Sequence, residues 1–280
     1  MPNPIADPFV EVVDTDATSQ LVLVEATPDG VATVTINRAA RKNAFNAEVI
    51  GALREAFETL EGADGVRVIF VTGAGGSFSA GADLEWMRDA VDYTEADNRD
   101  DAMAMAEMLK HLYDLPKLTV ALIEGAAFGG GAGLAAACDM AVAVKDARFA
   151  FSEVKLGLIA ATISPYVIAA IGPHRARGFF ATGRVFDAET ALRAGLVDEV
   201  VADNVALLEA RDRIAAEAKA CAPGAVAESK RLVDHVVGQE IDHALMEETA
   251  RRIARARVSP EGQEGVRAFL GRTTPSWAQP

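Results

Sequence analysis

Residues 128–140 read FGGGAGLAAACDM: Gly129, Gly130 and Gly131 run straight into the first turn of an apolar helix, and Gly133 lies inside it. Glycine in a helix costs about 0.5–1 kcal/mol relative to alanine. Two physical reasons could place four of them here. Either the backbone itself must come close to a ligand, or a helix of small residues packs tightly on a sheet. The segments on either side bear on that choice.

Upstream, Thr119 to Ile123 reads as a buried strand, and downstream Met140 to Val144 reads as another. Further out, Leu21 to Glu25 and Val31 to Ile36 are β-branched runs joined by Thr27-Pro28-Asp29-Gly30, a hairpin with suitable turn residues. Ala47 to Leu60 carries apolar residues at helical spacing, Val66 to Val71 is a short strand ending in GAGGSFSAGAD, and Asn98 to Leu115 is a helix closed by Pro116. Phe149 to Phe151 is a brief strand before Ser152-Glu153. From Pro165 helices dominate, over about 187–194, 204–220, 224–237, 241–256 and 259–270, apart from a strand at Glu199 to Val201. Strand and helix alternate through the first two-thirds and helices fill the last third, which indicates an α/β fold. The chain divides into an N-terminal arm (1–20), an α/β core (21–201) and a helical C-terminal region (202–280).

The chain has 280 residues and a net charge of -14, half of it hydrophobic and 24% charged. That balance is globular, and the acidity argues against nucleic acid or an anionic membrane as partner. Cys138 and Cys221 form no CxxC pair, so a disulfide framework is not expected and a reducing cytoplasm fits. The N-terminus has neither a basic nor an apolar signal-peptide region, and no run is long enough to span a bilayer.

Several motifs fail on context. Gly131 to Ala136 matches G-x-G-x-x-A and Glu153 follows at dinucleotide-fold spacing, but the motif does not open directly from its strand. There is no phosphate-binding P-loop. Ser77 to Gly81 lacks the first glycine of a nucleophile elbow. Glu107 and His111 share a helix face without a third metal ligand, so no metal site is expected. What the two glycine-rich segments share is position: each follows a buried strand and exposes backbone N–H groups at a helix start. Two such groups aimed at one point make an oxyanion hole.

The segments Phe78-Ser79-Ala80-Gly81-Ala82-Asp83-Leu84, Glu124 to Gly131, Cys138-Asp139, Ser152 to Leu158, Ala181-Thr182-Gly183, Ala194 to Asp198 and Glu264 to Leu270 together resemble the enoyl-CoA hydratase/isomerase (crotonase) superfamily. The resemblance runs over about residues 21–272, in order and at family-like spacing. It implies a spiral of ββα repeats with a helical C-terminal trimerisation region that includes Phe269 and Trp277, and a homotrimer or dimer of trimers. It implies an acyl-CoA thioester substrate whose carbonyl sits between the N–H groups of Ala82 and Gly130. Glu153 is then the catalytic acid/base, and Ala80, Asp83, Leu84, Lys42, Ala44, Gly129 and Gly133 lie along the substrate, with Arg41 and Lys42 near its phosphates. No separate cofactor is implied, because coenzyme A is part of the substrate.

Two-glutamate members carry a second glutamate three residues after the middle glycine, and here that position is Gly133. The chain is therefore read as a hydratase working through Glu153 alone, with a 3,2-enoyl-CoA isomerase or a non-catalytic acyl-CoA-binding member as alternatives. Ala160 to Val167 resembles the bacterial branch acting on methylglutaconyl-CoA and related branched enoyl-CoAs, in which the second glutamate is often absent. Trp86, Met87 and the Met103/Met105/Met108 group are open to two readings, an acyl pocket or plain core, with core the commoner one at this spacing.

Overall fold

The structure is a computed structural model and describes residues 20–279; the arm expected over 1–20 falls almost wholly outside them. The chain opens with an antiparallel hairpin of β1 (Val22–Ala26) and β2 (Val31–Ile36), registered from Val22↔Ile36 to Ala26↔Ala32. Gly30 turns it at φ +87°, where a Cβ would meet the Gly65 carbonyl at 2.6 Å. α1 (Ala47–Glu61) follows, capped by the Asn46 side chain, which accepts from the Val49 N–H at 3.0 Å. Its Val49, Ile50, Leu53, Phe57 and Leu60 form the buried stripe that the sequence spacing predicts.

β3 (Val68–Gly73) leads through the glycine-rich turn to α2 (Leu84–Asp89) and α3 (Glu95–Asp114). Then come β4 (Leu118–Ile123), β5 (Ala126–Phe128), α4 (Gly130–Ala137), β6 (Met140–Val144), β7 (Arg148–Ala150) and α5 (Ser164–Thr182). β8 (Val185–Asp187), α6 (Ala188–Ala194), β9 (Glu199–Val201) and α7 (Asn204–Lys219) complete the part built on sheets.

Six strands make the main sheet in the order β1-β2-β3-β4-β6-β9, parallel after the opening hairpin. The run β4-β5-α4 and the run β6-β7-α5 repeat one pattern. In each, the first strand joins the main sheet and the second joins a small sheet, ordered β5-β7-β8. Successive turns of this α/β spiral therefore stack β5 parallel to β7, pairing Phe128 with Ala150. The preceding turn adds an isolated bridge between Ser79 and Ala127. Three chain segments thus leave the small sheet side by side.

The sequence reading passes over α2, β5 and β8. A three-residue strand shows no periodicity, and its pairing comes from distant segments. α3 begins three residues earlier than expected because Thr94 and Asp97 form a capping box. The helical stretch from residue 202 is of two kinds. α7 packs against β3, β4, β6 and β9 and buries Leu207, Ala210, Ile214, Ala215 and Ala218, so it belongs to the core. α8 (Pro223–Val236), α9 (His243–Val258) and α10 (Pro260–Gly271) bury Ala227, no residue, and Ala268 respectively.

Candidate active site

Each glycine of the opening stretch has its own reason. Gly129 takes φ +49° and ψ −117°, outside the range open to other residues, and a Cβ there would lie 3.0 Å from Glu153 Oε1. A Cβ on Gly130 would press on the Phe45 ring at 3.0 Å and on Met105 Cε at 3.1 Å. On Gly131 it would meet the carbonyl of Ser79 at 2.7 Å. On Gly133 it would fall 2.5 Å from Ile163 Cβ and closer still to Cγ2. Gly129 therefore makes room for Glu153, while Gly130, Gly131 and Gly133 serve packing. Both explanations of the run hold, at different positions.

Glu153 reaches the cleft because of the β5–β7 register. The Gly129 N–H donates to the Ala150 carbonyl at 2.8 Å, which ties the ends of the two strands together. Phe151, fully buried, then anchors the chain in a cluster of Phe179, Phe180 and Phe186, with ring centroids 5.1–6.4 Å from its own. Two residues on, Glu153 starts a short 3-10 turn closed by the Leu158 N–H donating to the Glu153 carbonyl at 3.0 Å. Burial raises the Glu153 carboxyl above the ordinary carboxylate range, opposed only by a hydrogen bond from its own backbone. Its Oε2 is buried and accepts no hydrogen bond.

The N–H groups opposite arise from two local geometries. Gly130 is the first residue of α4, so its N–H has no acceptor within the helix. Ala82 bridges Phe45: the Phe45 N–H donates to Gly81 at 2.7 Å and the Asp83 N–H donates to Phe45 at 2.8 Å. In extended backbone the residue between points the other way. The Ala82 N–H has no backbone acceptor among the described residues, and Ala82 is exposed. Gly81, at φ +89°, packs so closely on the Phe128 carbonyl that a Cβ would lie 2.9 Å from it. Ala82 follows Gly81 directly and Gly130 lies two residues after Phe128, so this contact sets the two N–H groups near each other. Two backbone donors beside a carboxylate of raised pKa can polarise a carbonyl and move a proton at the adjacent carbon.

The other expected substrate contacts divide. Lys42 and Leu84 are exposed, and the Ala80 N–H donates to the Lys42 carbonyl at 2.9 Å. Asp83 is withdrawn, only 2% exposed. Its carboxylate caps α2 through the Glu85 and Trp86 N–H groups and pairs with Arg38. Ala44 is buried and its carbonyl accepts from Arg38 at 3.1 Å. Gly133 is buried against Ile163, so it offers the substrate no surface. For Asp83, Ala44 and Gly133, expected along the substrate, the polar groups or the space are engaged inside the fold. Arg41 is ion-paired with Glu85 at 2.7 Å, both exposed.

Met105 and Met108 are both core, Met105 with its Cε beside Gly130, whereas Met103 is half-exposed on a separate groove with His111 and Tyr166. The Trp86 indole N–H donates to Asp101 at 2.9 Å. Among the described residues no cluster of metal-ligating side chains occurs. Sequence reasoning missed Arg38, Asn43, Phe45 and Ile163. Only the buried Asn43 left a trace, since asparagine tolerates the left-handed φ of +56° that it takes.

The enoyl-CoA hydratase/isomerase family model matches residues 26–280 of this chain. The enoyl-CoA hydratase AKT6-1 of Alternaria alternata is 33% identical over 253 residues, 89% of this chain and 82% of its own. A crystal structure of an enoyl-CoA hydratase from Shewanella pealeana superposes with a TM-score of 0.89 at 36% identity, covering 92% of this chain and 96% of that one. A structure from Legionella pneumophila described as an enoyl-CoA hydratase/isomerase (crotonase) gives 0.87 at 44% identity, covering 92% and 98%.

Proposed function

Since this chain belongs to the enoyl-CoA hydratase/isomerase family and is an enzyme of that kind, we propose that it adds water reversibly across the C2–C3 double bond of a 2-enoyl-CoA, with Glu153 as the one acid/base. In this reading the N–H groups of Ala82 and Gly130 hold the thioester oxygen. Glu153 takes a proton from water, the hydroxide oxygen bonds to C3, and the π electrons move onto the thioester oxygen as an enolate. The enolate then collapses, and C2 takes the proton back from Glu153, so both atoms arrive from one face. A carboxyl of raised pKa suits a group that must act in both directions near neutral pH.

The observation that carries this reading is the half-buried Glu153 carboxylate lying against Gly129, with its Oε2 buried and unpartnered. The test follows the conjugated enoyl-thioester absorbance. Loss with wild type that vanishes in Glu153→Gln is expected; near-normal rates in that variant overturn the assignment.

The packing of Ile163 on Gly133 favours a second reading, 3,2-enoyl-CoA isomerisation, for which one carboxylate suffices. A gain of the same absorbance from a 3-enoyl-CoA, without hydration, would establish it. Coenzyme A-ester binding with neither reaction would instead indicate a non-catalytic member. The branched, methylglutaconyl-type substrate rests on the Ala160 to Val167 resemblance, whose Ile163 forms part of the wall beside α4.

We place the coenzyme A portion along Lys42, which is exposed, and the Ala80 carbonyl, on a half-buried residue. We also propose a homotrimer or dimer of trimers. Phe269 and Leu270 on α10 are 83% and 75% exposed, an apolar face suited to a second copy. No helix among the described residues is long and apolar enough to cross a membrane. We propose the cytoplasm as its compartment.

A further inference from the structure

Lys42 and Asn43 both take positive φ, +49° and +56°, although neither is glycine. Such strain persists only where the surroundings over-determine it, and it gathers at functional sites. Here the surroundings are explicit. Asn43 is fully buried; its Oδ1 accepts from the Arg38 N–H at 2.9 Å, and its Nδ2 donates to the carbonyls of Ala74 at 2.8 Å and Ser77 at 2.6 Å. The Lys42 carbonyl accepts from Ala80. Arg38 completes the brace: one guanidinium nitrogen donates to the Ala44 carbonyl and to Asp83 Oδ2. Asp83, nearly inaccessible to solvent, is held below the ordinary carboxylate range by Arg38 and by the N–H groups of Glu85 and Trp86, against the opposing effect of its burial. Its backbone N–H is the one that locks onto Phe45.

All of this converges on Ala82, the residue between Gly81 and Asp83. We propose that Arg38 is a positioning residue: through Asp83 it fixes the direction of the Ala82 N–H toward the substrate carbonyl, without touching the substrate itself. This rests on the oxyanion role assigned above to Ala82. A misdirected donor weakens binding of the developing oxyanion far more than binding of the ground-state ester. Arg38 also offsets the Asp83 charge, which would otherwise lie beside the enolate.

The test uses a 2,4-dienoyl-CoA, whose absorbance shifts to longer wavelength when its carbonyl accepts strong hydrogen bonds, whether or not turnover follows. Wild type is expected to give that shift. In Arg38→Ala the shift shrinks and kcat falls at least about tenfold, while KM and the Kd for a saturated acyl-CoA stay within threefold. Millimolar guanidinium should restore part of both the shift and kcat. Where Arg38→Ala does not fold, Asp83→Asn, which retains the α2 cap but breaks the ion pair, should reduce both in the same way. A full shift and kcat in a folded variant would overturn the proposal, as would a Kd for the saturated ester weakened as much as kcat, because Arg38 would then bind the substrate directly. Loss of hydration in wild type with the shift intact would count against the hydratase reading and leave the positioning role standing. Absence of the shift in wild type would remove both.

Discussion

Ile163 occupies the space that a side chain on Gly133 would need, its Cβ 2.5 Å from where that side chain's first carbon would sit. Ile163 is 4% exposed and part of the core, so it has little room to move aside. A glycine-to-alanine change inside a helix ordinarily stabilises by about 0.5–1 kcal/mol. At this position the collision reverses the sign, and overpacking of this kind costs about 1–3 kcal/mol. Urea unfolding of Gly133→Ala should show that loss, with partial recovery on adding Ile163→Ala. Gly133→Glu alone should not gain hydratase activity, because no cavity awaits its carboxylate. A stabilised Gly133→Ala would show the site to be looser than described.

Glu153 sets the pH behaviour. Its carboxyl is raised by burial, so between the unfolded and folded pKa the native state holds the proton that the unfolded chain releases. Stability from this group is therefore lost as pH rises through that window. Glu153→Gln cannot ionise and escapes the loss. Its melting temperature should match wild type near pH 4 and exceed it at neutral pH, while activity drops by about 10²-fold or more. In wild type, kcat/KM should rise with pH through a value above the ordinary glutamate range. A melting difference constant across pH would contradict the buried-carboxyl account.

Lys117 closes the end of α1. Its ammonium, only 9% exposed, donates to the carbonyls of Leu60, Glu61 and Ala63, and burial lowers its pKa. These carbonyls lie at the helix end, where partners are missing. Lys117→Met keeps the apolar stem and removes the donors, at an expected cost of about 1–3 kcal/mol. Chemical denaturation measures it; a neutral result would mean that water replaces the ammonium freely.

Lys230 fastens α8 to the sheet. Its ammonium bonds the Lys117 carbonyl at 2.9 Å and Asp139 Oδ2 at 2.8 Å, and that carboxylate oxygen also accepts from the Thr119 N–H and hydroxyl. A partly exposed pair of this type contributes about 1 kcal/mol or less. Lys230→Met should thus speed amide exchange within 223–236 and leave β3 and β4 as protected as before. Equal acceleration throughout would place α8 in the same cooperative unit as the sheet.

The large elements were legible because their signals are local. The apolar stripe of α1, the β-branched runs of β2 and β6 and the turn at Gly30 each carry their own periodicity or backbone demand. Short pieces were only partly legible. β5 and β8 have three residues each and left no signal of their own, and although the brief strand at Phe149 to Phe151 anticipated β7, what makes the three a sheet is the stacking of separate turns.

The same division holds at the cleft. The sequence alone determined that Gly129 to Gly131 open a helix, that Glu153 follows a buried aromatic strand, and that position 133 carries no carboxylate. The tertiary structure decided what those facts mean. The Phe128↔Ala150 register brings Glu153 over Gly129, and the bridge to Phe45 turns the Ala82 N–H outward. Arg38 withdraws Asp83 from the surface, and Ile163 closes the space beside Gly133. Spacing along a chain specifies residues within one element, whereas direction and burial at this cleft come from segments tens of residues apart, and only their packing fixes them.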